Sequence, residues 1–212
     1  MKKIAVFDFD GTLIKQDSMI LLFFKYFKPF SLSGLIHGLR LLIDTIKFFL
    51  KLYSQKQYKQ KFINSIIQSS KIKDIEKLGN DFSEYLLKKI YTDSIKTIRR
   101  FKKEGYELVL LSASPDFYLE KIKTILGFSS LICTKTQYIN GKIILKENCF
   151  GENKIKLFLD EYQTQNINWK DSYCFSDSIS DYNLLSYFGN SFAVNNKKLI
   201  KINPDINFIK WT

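Results

Sequence analysis

Two aspartates, Asp8 and Asp10, stand two residues apart at the end of the apolar run Ile4 to Phe7, and Gly11 and Thr12 follow them directly. Carboxylates this close repel each other unless a proton or a cation intervenes, and a hard divalent ion, Mg²⁺ above all, is the natural partner of oxygen ligands. One acid is then free to attack an electrophile while the other handles the leaving-group proton. A calcium loop of the EF-hand kind is the competing reading. It loses ground because a third spaced acid and a closing glutamate are both absent, Gly11 following the second acid at once.

Three later segments offer what such a pair would need to handle phosphate. In Ser112-Ala113-Ser114-Pro115, Ser114 reads as a helix N-cap and Pro115 as the first helical residue, and hydroxyls beside a helix N-terminus make a phosphate cradle. Taken alone, the segment is far more often a plain cap. Lys154 falls in the first turn of a helix opened by Gly151, where the helix dipole disfavours a cation by about a few tenths of a kcal/mol; a nearby anion would explain it, and an ordinary surface lysine in a lysine-rich chain is at least as common a reading. Ser176-Asp177-Ser178-Ile179-Ser180-Asp181 again sets two carboxylates at a strand exit.

The elements that position these groups alternate. Ile4 to Phe7 reads as a buried strand, Ser94 to Lys103 as a helix ended by Gly105, Glu107 to Leu111 as a strand, and Asp116 to Leu126 as a helix closed by Gly127. Residues 134–145 read as a hairpin turning at Asn140-Gly141, Glu152 to Tyr162 as a helix, and Ser172 to Phe175 and Phe192 to Val194 as strands. Such alternation implies a parallel sheet whose ligands sit beyond the carboxyl ends of its strands. The stretch from 16 to 91 shows only helical periodicity. The expected architecture is therefore α/β: a Rossmann-like parallel-sheet core over 1–15 and 92–212, with an all-helical cap over 16–91 inserted after the first strand.

The chain of 212 residues carries 33 Lys and Arg against 21 Asp and Glu, a net charge of +12 in which only Arg40, Arg99 and Arg100 are arginines. A lysine field of this kind favours anionic partners, whether phosphorylated metabolites or lipid headgroups, although a general bias toward Lys, Ile, Asn and Phe accounts for it equally well. Cys133, Cys149 and Cys174 are odd in number and lack metal-ligand spacing, so neither a disulfide framework nor a zinc site is expected and a reducing cytosol fits. Acids at 8 and 10 interrupt the first apolar run, which argues against a secretory signal. No aromatic-basic stacking motif marks a nucleic-acid binder.

The order Asp-Phe-Asp-Gly-Thr, then a serine after a second strand, then a lysine, then an aspartate pair, resembles the haloacid dehalogenase superfamily. With helices between its first two motifs, it resembles the phosphoserine-phosphatase-like branch. The resemblance implies that Asp8 is a nucleophile forming an aspartyl phosphate and that Asp10 is the general acid and then base. It implies that Ser112 and Lys154 hold the phosphoryl oxygens. Asp8, the Asp10 backbone carbonyl and Asp177 would ligate Mg²⁺, with Asp181 supporting the metal or Lys154. Gly11, Thr12, Ala113 and Ser114 would contact substrate at the core, and Asp17 and Arg40 from the cap. Dehalogenases and transport ATPases of this superfamily lack the second acid, so Asp10 points to a phosphatase or phosphomutase. Ser180 stands where phosphoserine phosphatases carry Asn.

The substrate should be read from the cap. Phosphoserine phosphatases carry a Glu at the place of Asp17 and a cap arginine; here the acid is shorter and Arg40 is the single cap arginine. Met19 to Phe30 is strongly apolar. In residues 33–53, His37, Arg40, Asp44, Lys47 and Lys51 recur at three- and four-residue steps, leaving Leu35, Ile36, Leu39, Leu42, Ile43, Ile46, Phe49 and Leu50 on the other face. Five polar residues argue against a membrane span. The commoner outcome is that the apolar face packs on a partner helix; lying in a membrane interface is the alternative. His37 is expected at the surface. The apolar, lysine-rich cap more loosely resembles the phosphatidylglycerophosphatase C group. The leading expectation is a phosphomonoesterase for a lipid phosphate such as phosphatidylglycerol phosphate, cytoplasmic and peripheral at the inner membrane face. A phosphatase for phosphoserine or another small metabolite comes second. A phosphomutase and a non-catalytic basic membrane-binding module are the rivals.

Overall fold

The computed structural model describes residues 1–162 and 166–212. Seven strands form one sheet in the order β4-β3-β2-β1-β5-β6-β7, and every pairing is parallel except β3 with β4. Strand β1 (Ile4–Phe7) lies at the centre between β2 (Glu107–Pro115) and β5 (Tyr173–Ser176). All three carry their chemistry-bearing residues at their carboxyl ends, so the site assembles across neighbouring strand exits. Outward from β5 lie β6 (Asn190–Val194) and the short β7 (Asn207–Ile209).

Period-2 alternation in β1 buries both of its faces. Ile4 and Val6 join Val109, Leu111 and Phe158 on one side, while Ala5 and Phe7 join Leu110, Phe101 and Phe175 on the other. The Phe7 and Phe175 rings stack with centroids 4.8 Å apart. At about 1.5–3 kcal/mol for each large apolar side chain fully buried, these two layers fix β1 firmly, and with it the position of Asp8.

Four helices follow β1: α1 (Ser18–Tyr26), α2 (Leu32–Phe49), α3 (Gln55–Ser70) and α4 (Ile75–Leu87). Their starts are set by side-chain caps: Asp17 for α1, Ser31 for α2, a reciprocal Ser54–Gln57 capping box for α3, and Asp74 for α4. The chain then returns through α5 (Thr92–Lys103) to β2 and α6 (Asp116–Leu126). Next comes the antiparallel hairpin β3 (Ser130–Ile139) and β4 (Lys142–Glu147). Its turn residues Asn140 and Gly141 both have positive φ (49° and 76°), the conformation expected of an Asn-Gly hairpin. Helix α7 (Glu152–Tyr162) leads toward β5, α8 (Tyr182–Leu185) follows it, and α9 (Lys197–Ile202) precedes β7.

Helix α3 is tied to the sheet edge by polar side chains. The Asn64 side chain donates to the Ile143 carbonyl at 2.8 Å and accepts from the Ile143 N–H at 2.7 Å, and Gln60 accepts from the Leu145 N–H at 2.9 Å. Lys56 donates to the Lys146 carbonyl at 2.8 Å.

Three expectations require correction. Ser114 is not an N-cap. Strand β2 runs on to Pro115, and α6 starts at Asp116 with no side-chain cap bond, because the Ser114 hydroxyl is committed elsewhere. Helix α2 stops at Phe49, and Lys51 has a left-handed φ of 60°, so Lys51 is not part of the helical stripe. The apolar face of α2 does not pack on a partner helix. The helix meets α3 through its opposite side, where Leu41 is buried, Thr45 bonds the Tyr58 hydroxyl and Phe48 stacks on Tyr58. The eight apolar residues of that face are exposed, and Asp44 turns inward to pair with Lys61 at 3.4 Å. Strand β7 was not anticipated; three residues after Pro204-Asp205 offer too little alternation to read.

Candidate active site

Asp8 is the first residue after β1, and its N–H donates to the Phe175 carbonyl of β5 at 3.0 Å, which extends the parallel pairing by one step. The carboxylate is 8% exposed and accepts from the Lys154 ammonium at 3.0 Å. Burial pushes the Asp8 carboxyl up, Lys154 pulls it down, and Asp181 and Asp177 push it up again, leaving it at about 8.

Lys154 is itself buried, reaching in from the first turn of α7. Its second partner is Asp181, at 2.6 Å. Burial pulls the ammonium down, but Asp181 and Asp8 outweigh it and hold it above its ordinary value. The anion expected near this unfavourably placed cation is therefore present, and it is a pair of carboxylates. Asp181 also accepts from the Ser176 hydroxyl at 2.8 Å. The same oxygen, Oδ2, is engaged by lysine and serine, so Asp181 supports Lys154, the second of the two roles expected of it.

Asp10 is held differently. One carboxylate oxygen accepts from the Ser18 N–H at 2.7 Å and the other from the Ser114 hydroxyl at 2.5 Å. Burial raises its carboxyl and nearby Asp17 adds to the rise, while the bonds from Ser114 and Ser18 oppose it, and the result is about 6. A carboxyl poised there can donate a proton near neutrality and take one back. The Ser114 and Ser18 hydroxyls are 2.9 Å apart, and Ser18 lies 2.8 Å from the Tyr118 hydroxyl, a buried chain that fixes how Asp10 points.

Asp177 follows β5 and packs against Gly11. A Cβ built on Gly11 would lie 2.1 Å from Asp177 Oδ2, and Gly11 has a φ of +72°, so only glycine fits on both counts. The fully buried Thr12 hydroxyl donates to Asp177 Oδ1 at 3.3 Å and accepts from the Asp177 N–H at 3.0 Å. Thr12 thus orients Asp177 and does not line the pocket, which corrects its assignment to substrate contact. Burial lifts the Asp177 carboxyl to about 6 against the opposing bond from Thr12.

These groups line a cavity of about 350 Å³ that also takes in Gly11, Asp17, Ser112, Ala113 and Ser114. The Ser112 oxygen accepts from the Ser114 N–H at 3.1 Å, leaving its proton to donate toward a ligand. Asp17 reaches the cavity while also capping α1. Arg40 does not: it is exposed on α2, outside the lining. Sequence reasoning missed Lys15, Gln55, Lys59 and Phe150, all in the lining. Lys59 comes from α3 and donates to the Ala113 carbonyl and to Asn148 Oδ1, each at 2.8 Å. Burial lowers its ammonium to about 8. In a helix with six other lysines and glutamines nothing in its spacing distinguishes it.

Among the described residues no set of three His, Cys, Asp or Glu side chains gathers as a metal site. The donor chemistry nevertheless fits Mg²⁺, which is usually bound by one or two carboxylates with waters and substrate phosphate completing its shell. The carboxyls of Asp8, Asp10 and Asp177 are all raised, with desolvation the largest cause of each, and the buried Lys154 ammonium bonds only Asp8 among them.

The chain belongs to the haloacid dehalogenase-like hydrolases, whose family model matches residues 5–186. With its second aspartate in place, it is a phosphatase-type enzyme of that family. A probable phosphatase of Mycobacterium tuberculosis (strain H37Rv) is 23% identical over 199 residues, covering 90% of this chain and 68% of that protein. A protein of unknown function from Bordetella pertussis has the same fold, with a TM-score of 0.74 at 19% identity over 99% of this chain and 98% of the other. A phosphoserine phosphatase solved as an analogue of its phospho-aspartyl intermediate has a TM-score of 0.65 at 21% identity, covering 98% of this chain and 92% of that one.

Proposed function

We propose that the protein hydrolyses phosphomonoesters through an aspartyl-phosphate intermediate on Asp8, with Mg²⁺ as cofactor. The observation that carries this reading is the unequal treatment of the two acids: Asp8 is backed by Lys154 and faces the cavity, while both oxygens of Asp10 are held by Ser18 and Ser114. Asp8, Asp177 and the Asp10 backbone carbonyl would hold the metal, which supplies charge compensation for two anions that must approach each other. Asp8 attacks phosphorus as the ester P–O bond breaks, and Asp10 delivers its proton to the departing alkoxide oxygen. Asp10, now ionised, then takes a proton from water, and the resulting hydroxide attacks phosphorus and frees Asp8. Lys154 and the Ser112 hydroxyl stabilise the phosphoryl oxygens throughout. In this reading residues 1–15 and 92–212 form the catalytic core and 16–91 the cap.

A lipid phosphate such as phosphatidylglycerol phosphate is the leading substrate. Lys15 and Lys59 join Lys154 in the described lining, and no arginine is there to pair with an amino-acid carboxylate in bidentate fashion. The likeness to phosphoserine phosphatases keeps phosphoserine as the second candidate. The reading places the enzyme in the cytosol, where its three buried free cysteines stay reduced. The test is phosphate release with Mg²⁺ or EDTA from phosphoserine, sugar phosphates and micellar phosphatidylglycerol phosphate, with Asp8→Asn as control. Metal-dependent turnover lost in the variant is expected; turnover on no ester, or turnover that survives Asp8→Asn, overturns the mechanism.

A further inference from the structure

We infer that the outer face of α2 is a docking surface for an anionic lipid bilayer, which it enters lying flat. The inference deepens the lipid-phosphate reading by naming the surface on which such a substrate would be met. Leu32, Leu35, Ile36, Leu39, Leu42, Ile43, Ile46, Phe49 and Leu50 are each between 44% and 78% exposed. At 3.6 residues per turn they fall within a band about 140° wide, so they form one continuous apolar strip along the helix. A water-soluble surface scatters its exposed leucines singly; a strip of this length marks an interaction site.

The charges beside the strip identify the partner. Exposed Arg40 and Lys47 run along one flank, and exposed Lys51 sits just past the last turn. Asp44, the one acid of α2, is turned inward to Lys61. The outward charge of the helix is therefore wholly positive. An apolar strip edged by cations matches acyl chains beneath anionic headgroups, with the long basic side chains reaching up to phosphate. A second copy is a poorer match, because a twofold pairing through the strip brings the basic flanks together. No helix of the described residues is long and apolar enough to cross a membrane, and the charges of α2 are confined to one side of it, so the helix fits the interface plane.

The strip also leads to the cavity. It continues through Leu50 and Leu52, 65% and 64% exposed, to Gln55, which lines the cavity three residues later. On α1, Met19 lines the cavity while Ile20 and Phe24 are 52% and 77% exposed. Docking through these residues would hold the cavity mouth close to the headgroup layer.

The test is flotation of the protein with vesicles of phosphatidylcholine, alone and mixed with phosphatidylglycerol. Light scattering reports the oligomeric state, and hydrolysis of a soluble phosphomonoester is measured in parallel. The wild type is expected to partition at least about tenfold more strongly onto the mixed vesicles. Leu39→Gln/Ile43→Gln/Ile46→Gln should lose vesicle binding by about tenfold or more with soluble turnover unchanged, and Lys47→Ala/Lys51→Ala should lose the preference for phosphatidylglycerol. Failure of the wild type to bind, or glutamine-variant binding equal to wild type, overturns the inference. So does a wild-type dimer that the glutamine variant converts to monomer. Vesicle binding that depends on the strip, in a protein that hydrolyses no ester, would uphold the docking surface and refute the phosphatase reading.

Discussion

Replacing Asp8 by Asn should abolish turnover and at the same time stabilise the metal-free protein. Burial and the neighbouring acids raise the Asp8 carboxyl from 3.8 to about 8. A carboxyl whose folded value lies above its unfolded one binds its proton more tightly when folded, so stability declines as pH rises from about 4 to about 8. At pH 7.5 the interval above 3.8 corresponds to about 5 kcal/mol, at about 1.36 kcal/mol per pH unit. The Asn amide must still be buried, at a cost of about 1–3 kcal/mol, and the net gain is about 2–4 kcal/mol. For a chain of this size that raises the melting temperature by roughly 5–15 °C. The assay is thermal unfolding in EDTA at several pH values between 4 and 8, with phosphate release measured on the same preparations. The gain should give way to a small loss near pH 4 and grow toward pH 8. An Asp8→Asn protein that melts at or below the wild type throughout that range would refute the buried-repulsion argument, and one that turns over within about tenfold of wild type would refute the nucleophile.

Mg²⁺ added to the metal-free protein should raise its melting temperature more at pH 8 than at pH 6, because the carboxyls of Asp8 and Asp177, at about 8 and about 6, must shed protons to bind it; equal shifts at both values would count against these ligands. Ser114→Ala frees one oxygen of Asp10 and should lower kcat by about tenfold or more with little change in KM, measured under saturating substrate. Gly11→Ala forces Asp177 off its seat and should reduce kcat/KM by at least about a hundredfold while weakening the Mg²⁺-induced thermal shift. Lys59→Met removes an ammonium that holds Ala113 and Asn148 and should raise KM by about tenfold or more. As Lys59 loses its charge above about pH 8, wild-type kcat/KM should fall more steeply there than that of the Met variant.

The strands of the parallel sheet and the strand-exit acids were legible in the sequence because each rests on local rules: buried apolar runs of strand length, glycine stops and the Asn-Gly turn. Asp8, Asp10, Lys154 and the Asp177 to Asp181 segment could be placed on one edge by that topology alone. What no local pattern carries is how the polar groups divide their partners. Ser114 looks like a cap in sequence, yet it lies beside Asp10 because β1 and β2 are neighbours 104 residues apart in the chain. Thr12 and Asp177 meet across 165 residues. Lys59 enters the site from a helix whose composition offers several equivalent lysines. The outer strip of α2 was visible as an amphipathic pattern, but periodicity gives the faces of a helix and not which of them turns inward. Here Gly34 lets α2 lie close against the Lys28 carbonyl, where a Cβ would stand 1.7 Å away, while Thr45 and Phe48 meet Tyr58 of α3.

The attachment of α3 to β4 has a mechanical consequence. Strand β4 is the last in the sheet, and its outward N–H and C=O groups are of the sort that recruit a foreign strand. Asn64 meets both backbone groups of Ile143 as a neighbouring strand would, and Gln60 and Lys56 continue the pattern along the same margin. The helix thereby plugs the sheet with side chains. If α3 swings away to admit a bulky ester, the plug comes out and a bare margin faces solvent until the helix returns. Self-association through that margin would then hold α3 away, because a partner that binds only the open form shifts the population toward it.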